Sequence, residues 1–137
     1  MGRVVARDVL YKLIFENMFV EPENSVSYET FLESTELDRD NLDYVKNSYI
    51  EILKEKENIL NIISKSMKED FSIDRIFKAD LAIIVLATYE LIYKNIDAKI
   101  AINEAVKLAK KYSTDKSFAF VNGVLANIVK DNNLING

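Results

Sequence analysis

The chain has 137 residues, a formal net charge of −4, 49% hydrophobic residues and neither Cys nor His. Those figures describe one globular domain and exclude disulfides, thiol chemistry and thiolate metal sites, together with the commonest general base and transition-metal ligand. The charge is unevenly spread: residues 21–70 hold thirteen acidic and six basic side chains, whereas residues 94–116 hold six Lys against Asp97, Glu104 and Asp115. Basic patches of this kind can bind polyanions despite an acidic total.

Three Gly and one Pro are too few for a protein of tight turns, so an all-α chain is expected. MGRVVARD carries dispersed charge and does not read as a secretory signal. A first helix is expected from Arg3 to Met18, with Ala6, Leu10, Leu13 and Ile14 on its apolar face, ending before Pro22. Residues 19–27 read as a loop, and Tyr28, Phe31 and Leu32 anchor a short second helix. Asp38 or Asp40 is expected to cap one long third helix, whose stripe runs from Leu42 through Val45, Tyr49, Ile52, Ile59 and Ile63 to Met67.

The segment Ile73–Lys94 is apolar almost all round, which marks either a central core helix or a membrane span. Its apolar run of about fifteen residues, with Asp80 and Glu90 inside, is too short and too charged to span, so a core helix is expected. Asp97 is expected to cap a Lys-rich helix over 98–112, and Ser113 or Thr114 the last helix. That helix carries Phe118, Val121, Val124, Leu125 and Ile128 as its stripe. The cytoplasm is the expected place of action.

Catalytic chemistry finds little support. There is no Gly-rich phosphate loop and no metal-ligand spacing, and the carboxylates follow solvent-facing helical positions, as Glu29 and Glu33 do. No catalytic residue, cofactor or metal is expected. Binding has better candidates, because Arg3 and Arg7 project from one face of the first helix. Guanidinium groups pair with phosphates and stack on splayed bases. Asn103, Glu104, Asn122 and Gly123 stand among apolar positions without an evident reason. Gly within a helix costs about 1 kcal/mol relative to Ala.

GRVVARDVLYKLIF at the start, YEL at 89–91, AINEAVKLAKKY at 101–112 and FVNGVL at 120–125 together resemble the NusB family of transcription antitermination factors. The resemblance covers nearly the whole chain. It implies a NusB-like fold of two small helical bundles packed as one compact domain over 1–137, with six or seven helices. It further implies a non-catalytic adaptor that binds the boxA element of ribosomal RNA leader transcripts. The expected partner is NusE, a small-subunit ribosomal protein, within the RNA polymerase antitermination complex.

By the same resemblance Arg3, Arg7 and Phe120 are expected to contact RNA; Lys116, one turn before Phe120 on the same face, is expected to reach phosphate, so that the first helix and the start of the last form one basic surface. Asp80 is expected to contact NusE. Tyr89, Glu90, Asn103, Glu104, Asn122 and Gly123 are expected to serve helix-to-helix fit. Val4 and Val5 stand where relatives often place further Arg, and Ala98 where they commonly have Pro. A protein-only scaffold or homodimer with weak RNA binding is the alternative. The RNA-binding part of a ribosomal RNA methyltransferase would need a large cofactor domain that these residues do not supply.

Overall fold

The computed structural model describes residues 2–33, 37–68 and 71–134, the Leu32 side chain excepted. Among the described residues there are seven α-helices and no strand. The chain divides into two compact units, Met1–Lys54 and Glu55–Gly137.

In the first unit, α1 (Gly2–Asn17) packs on α3 (Arg39–Lys54), with α2 (Val26–Glu33) between them in sequence. Ala6, Leu10, Leu13 and Ile14 of α1 and Val45, Tyr49 and Ile52 of α3 are all buried, as the helical spacing predicts. The caps are local. Ser25 accepts the Tyr28 N–H at 2.9 Å to start α2, while its own hydroxyl donates to the Glu16 carboxylate. Of the two aspartates proposed as caps, Asp38 opens α3 by accepting the Asn41 N–H at 2.8 Å.

The expected long third helix is two helices. The apolar stripe continues past Lys54, but the chain turns at Glu55 and restarts as α4 (Lys56–Lys65). Glu55 accepts hydrogen bonds from Asn58 Nδ2 at 2.9 Å and from the Tyr93 hydroxyl at 3.1 Å. The helix breaks at this half-buried carboxylate.

The second unit is built round α5 (Lys78–Tyr93), against which α4, α6 (Ala98–Tyr112) and α7 (Ser117–Asp131) pack. Every residue of α5 from Asp80 to Leu91 is buried, which explains its all-round apolar sequence. Among the described residues, no helix is long and apolar enough to cross a membrane. Asn95, at φ 53°, supplies the left-handed residue that ends α5. Asp97 caps α6 by accepting the Lys99 N–H at 2.9 Å. Neither Ser113 nor Thr114 caps α7, whose first residue is Ser117 and whose N-cap position, Lys116, makes no side-chain cap bond. Phe118 lies 42% exposed, off the stripe formed by Val121, Val124, Leu125 and Ile128.

Candidate nucleic-acid interface

The residues proposed to touch RNA fall in different units: Arg3 and Arg7 in the first, Lys116 and Phe120 in the second. Both arginines belong to α1, but their surroundings differ. Arg3 Nε donates to Asn41 Oδ1 at 3.0 Å, one of its terminal nitrogens lies 3.3 Å from the Asp40 carboxylate, and the guanidinium sits 3.8 Å above the Tyr44 ring. With 45% of its side chain exposed and Asp40 87% exposed, that ion pair is weak and exchangeable. Arg7 is only 8% exposed and is engaged within the protein. The expectation that both guanidiniums project from one open face is therefore corrected. The i,i+4 face that carries Arg7 also carries Leu10 and Ile14 one and two turns on, and the arginine is buried with them.

Asp80 is also placed differently from the expected partner contact. It is 5% exposed, in the first turn of α5, and accepts hydroxyl hydrogen bonds from Ser113 at 2.6 Å and Ser117 at 3.0 Å. Ser113 Oγ also lies 2.8 Å from Ser117 Oγ. A carboxylate that must be buried requires such donors. It ties the α6–α7 turn to α5, and Lys116 and Phe120 are carried at the end of that turn. Asp80 thus holds the turn and presents no open carboxylate. The i,i+4 pair Ser113 and Ser117 was the sequence signal for this arrangement, and the cap reading of Ser113 masked it.

Tyr89 and Glu90 are buried, at 0% and 1% exposure, with Tyr89 stacked on Tyr93 at 5.8 Å. Glu104 has 18% of its side chain exposed and lies 3.8 Å from Lys107 Nζ. The other three signature residues depart from the expected helix-to-helix role. Asn103, Asn122 and Gly123 are exposed, because α6 turns Ala101, Ala105, Leu108 and Ala109 inward and α7 turns Val121, Val124, Leu125 and Ile128 inward. A Cβ added to Gly123 would meet nothing within 4 Å among the described residues, so none of the described helices requires a glycine there.

Lys116 is exposed and Phe120 half-exposed. Phe120 lies 5.9 Å from Phe71, ring to ring, at an angle of 39°. Both line an open groove of about 440 Å³ whose walls include Met67, Lys68, Gly123 and Asn127. Phe71 and Lys68 carried no signal in the sequence, since both lie in the irregular stretch between α4 and α5. Among the described residues, no group of His, Cys, Asp or Glu could hold a metal ion.

An all-α protein of two helical units, with exposed cations and a half-exposed aromatic at one interhelical turn, is the class that these observations define. A sequence model of the NusB family matches residues 2–130, and the chain belongs to that family. It is 39% identical over 133 residues to the transcription antitermination protein NusB of Clostridium novyi (strain NT), covering 95% of this chain and 99% of that one. Its fold is similar to that of T. maritima NusB, with a TM-score of 0.84 and 28% identity over 96% of this chain and 92% of the other. It is equally similar to a chain in the crystal structure of antitermination factors NusB and NusE in complex with dsRNA. There the TM-score is 0.83 and the identity 28%, over 95% of this chain and 97% of the other.

Proposed function

We propose that this protein is a transcription antitermination factor, a non-catalytic adaptor that binds RNA together with NusE. The observation that carries the reading is the likeness, over nearly the full length of both chains, to a chain solved with NusE and double-stranded RNA. At a finer level, the RNA is the boxA element of ribosomal RNA leader transcripts, and the adaptor works within the RNA polymerase antitermination complex in the cytoplasm. Arg3 in the first unit, and Lys116 and Phe120 in the second, are the proposed RNA contacts. Arg7 supports α1 from within. The Asp80 carboxylate acts through Ser113 and Ser117 as the support of the α6–α7 turn, so any contribution to NusE binding runs through that turn.

The second reading, a protein-only scaffold or homodimer with weak RNA binding, draws on the burial of Arg7 and the internal pairing of Arg3. An electrophoretic shift with boxA RNA, with and without NusE and across a salt series, separates the two. The adaptor reading expects a shift enhanced by NusE, with a shallow salt slope, because each phosphate contact contributes only about 0.7–0.9 to it. No shift even with NusE present would sink it.

A further inference from the structure

Asn122 and Gly123 are the sixth and seventh residues of α7, and both are exposed. Packing among the described residues gives the pair no role, since a Cβ added at Gly123 would meet nothing within 4 Å of them. The pair has a chemistry of its own. The Gly123 nitrogen, once its proton is lost, can attack Cγ of Asn122. The N–Cγ bond forms, the Cγ–Nδ2 bond breaks, and ammonia leaves a five-membered imide behind. Water then opens the ring at either carbonyl, giving an aspartyl or an isoaspartyl residue. The sum is amide plus water to carboxylate plus ammonium, with no oxidant, reductant or cofactor. Glycine favours the step because no Cβ crowds the attacking nitrogen.

An intact helix opposes it. Within α7 the Gly123 N–H is committed to the Ala119 carbonyl four residues back, and helical φ/ψ hold the nitrogen off the approach to Cγ. Ring closure therefore waits for the start of α7 to open. Two features weaken that start: Lys116, at the N-cap position, makes no side-chain cap bond, and Gly123 lowers helix stability relative to alanine. One feature latches it, the Ser117 hydroxyl on the buried Asp80 carboxylate at 3.0 Å.

We propose that Asn122–Gly123 is a self-modifying site, which loses ammonia when the first turns of α7 open, and that the conversion weakens RNA binding. The second half rests on the RNA-binding reading above. An isoaspartyl link adds a methylene to the main chain and breaks the helical register of α7. Either product also places a carboxylate one turn from Phe118, over whose ring Lys110 Nζ lies at 5.5 Å, and so offsets a cation there.

The test incubates the full chain at neutral pH and physiological temperature. Peptide mapping by mass spectrometry follows aspartyl and isoaspartyl product at residue 122, resolved from the second Asn-Gly pair at 136–137. Conversion in the folded protein is expected to be at least about tenfold slower than in the same chain unfolded in urea, since only the open fraction reacts. Ser117→Ala and Asp80→Ala release the latch and are expected to speed it about threefold and about tenfold. Gly123→Ala should slow it about tenfold even in urea. Converted protein, isolated by anion exchange, is expected to bind boxA RNA with NusE about three- to tenfold more weakly than unconverted protein. Asn122→Asp carries the charge without the altered backbone and should reproduce the smaller part of that loss.

No product at residue 122 in the folded protein, over a time that converts the urea-unfolded chain, would overturn the site. Equal rates folded and unfolded, or no acceleration in either latch variant, would overturn its control by α7. Converted protein that binds RNA as well as before would overturn the functional consequence. Failure of unconverted protein to bind RNA even with NusE would overturn the RNA reading and that consequence together, while the conversion, read by mass, would stand.

Discussion

Ser117, the first residue of α7, donates its hydroxyl hydrogen to Asp80 in the first turn of α5 at 3.0 Å, across 37 residues of sequence. Ser113 completes the arrangement from the end of α6 at 2.6 Å. Three helices therefore meet at one buried carboxylate. Asp80→Ala removes the acceptor of both bonds and leaves two hydroxyls facing a void. A loss of about 2–3 kcal/mol is expected, read by urea or thermal unfolding. Asp80→Asn retains one acceptor oxygen and should lose less. If Asp80→Ala melts like wild type and only NusE binding falls, the carboxylate is a direct partner contact after all.

Arg7→Ala is expected to destabilise the protein by about 1–3 kcal/mol, because an 8%-exposed guanidinium and its packed stem are removed. The fall should appear in thermal melting without RNA. RNA affinity measured well below the melting temperature should change less than it does for Arg3→Ala. A variant with unchanged melting and lost RNA binding would return Arg7 to the RNA surface.

Arg3 is paired with an exposed carboxylate, which on the RNA-binding reading is a competitor of phosphate. Asp40→Asn removes the competitor while Asn41 and Tyr44 still orient the guanidinium. RNA affinity at low salt is expected to rise about two- to fourfold, the range that a surface ion pair supports. Weaker binding in a filter or gel titration would show that the Asp40 pairing positions Arg3.

Tyr49 supplies a pH dependence. Its ring is 1% exposed, and its hydroxyl has no hydrogen-bond partner among the described residues. Burial, then the negative charge of Glu16, then Tyr28 push its pKa from 10.0 up to about 12. Between those values the unfolded chain has given up the proton and the folded protein keeps it. The stabilisation is thus complete below pH 10 and is lost as pH rises towards 12, by about 1.4 kcal/mol per pH unit inside that window. Tyr49→Phe should flatten this alkaline limb in melting curves. At neutral pH it should be neutral or stabilising by about 1 kcal/mol, since it deletes a buried unpaired hydroxyl. A large loss at neutral pH would mean that the hydroxyl has a partner.

Much of the architecture was legible before any coordinates. The spacing of Ala6, Leu10, Leu13 and Ile14 marked the buried face of α1, and the all-round apolar run marked α5 as the core helix. Asp97 was readable as a cap, and the cap of α3 was narrowed to Asp38 or Asp40, because a cap is a contact within one turn. The break at Glu55 was not readable, since the apolar stripe runs on through it. At that break Glu55 accepts from the Tyr93 hydroxyl, 38 residues away, a contact that no local pattern announces.

Site residues divide along the same line. Composition, helical periodicity and motif order determined the all-α class, most helix positions and the family, because each depends on neighbours in sequence or on the whole pattern. Exposure of single side chains did not follow from them. Arg7 and Asp80 look like surface charges and are buried, whereas Asn103, Asn122 and Gly123 look like packing residues and face outward. Whether a polar side chain on a helix boundary turns in or out depends on the donors that a distant element offers it. Only the tertiary structure brings Ser113 and Ser117 to Asp80, or turns Asn122 and Gly123 outward.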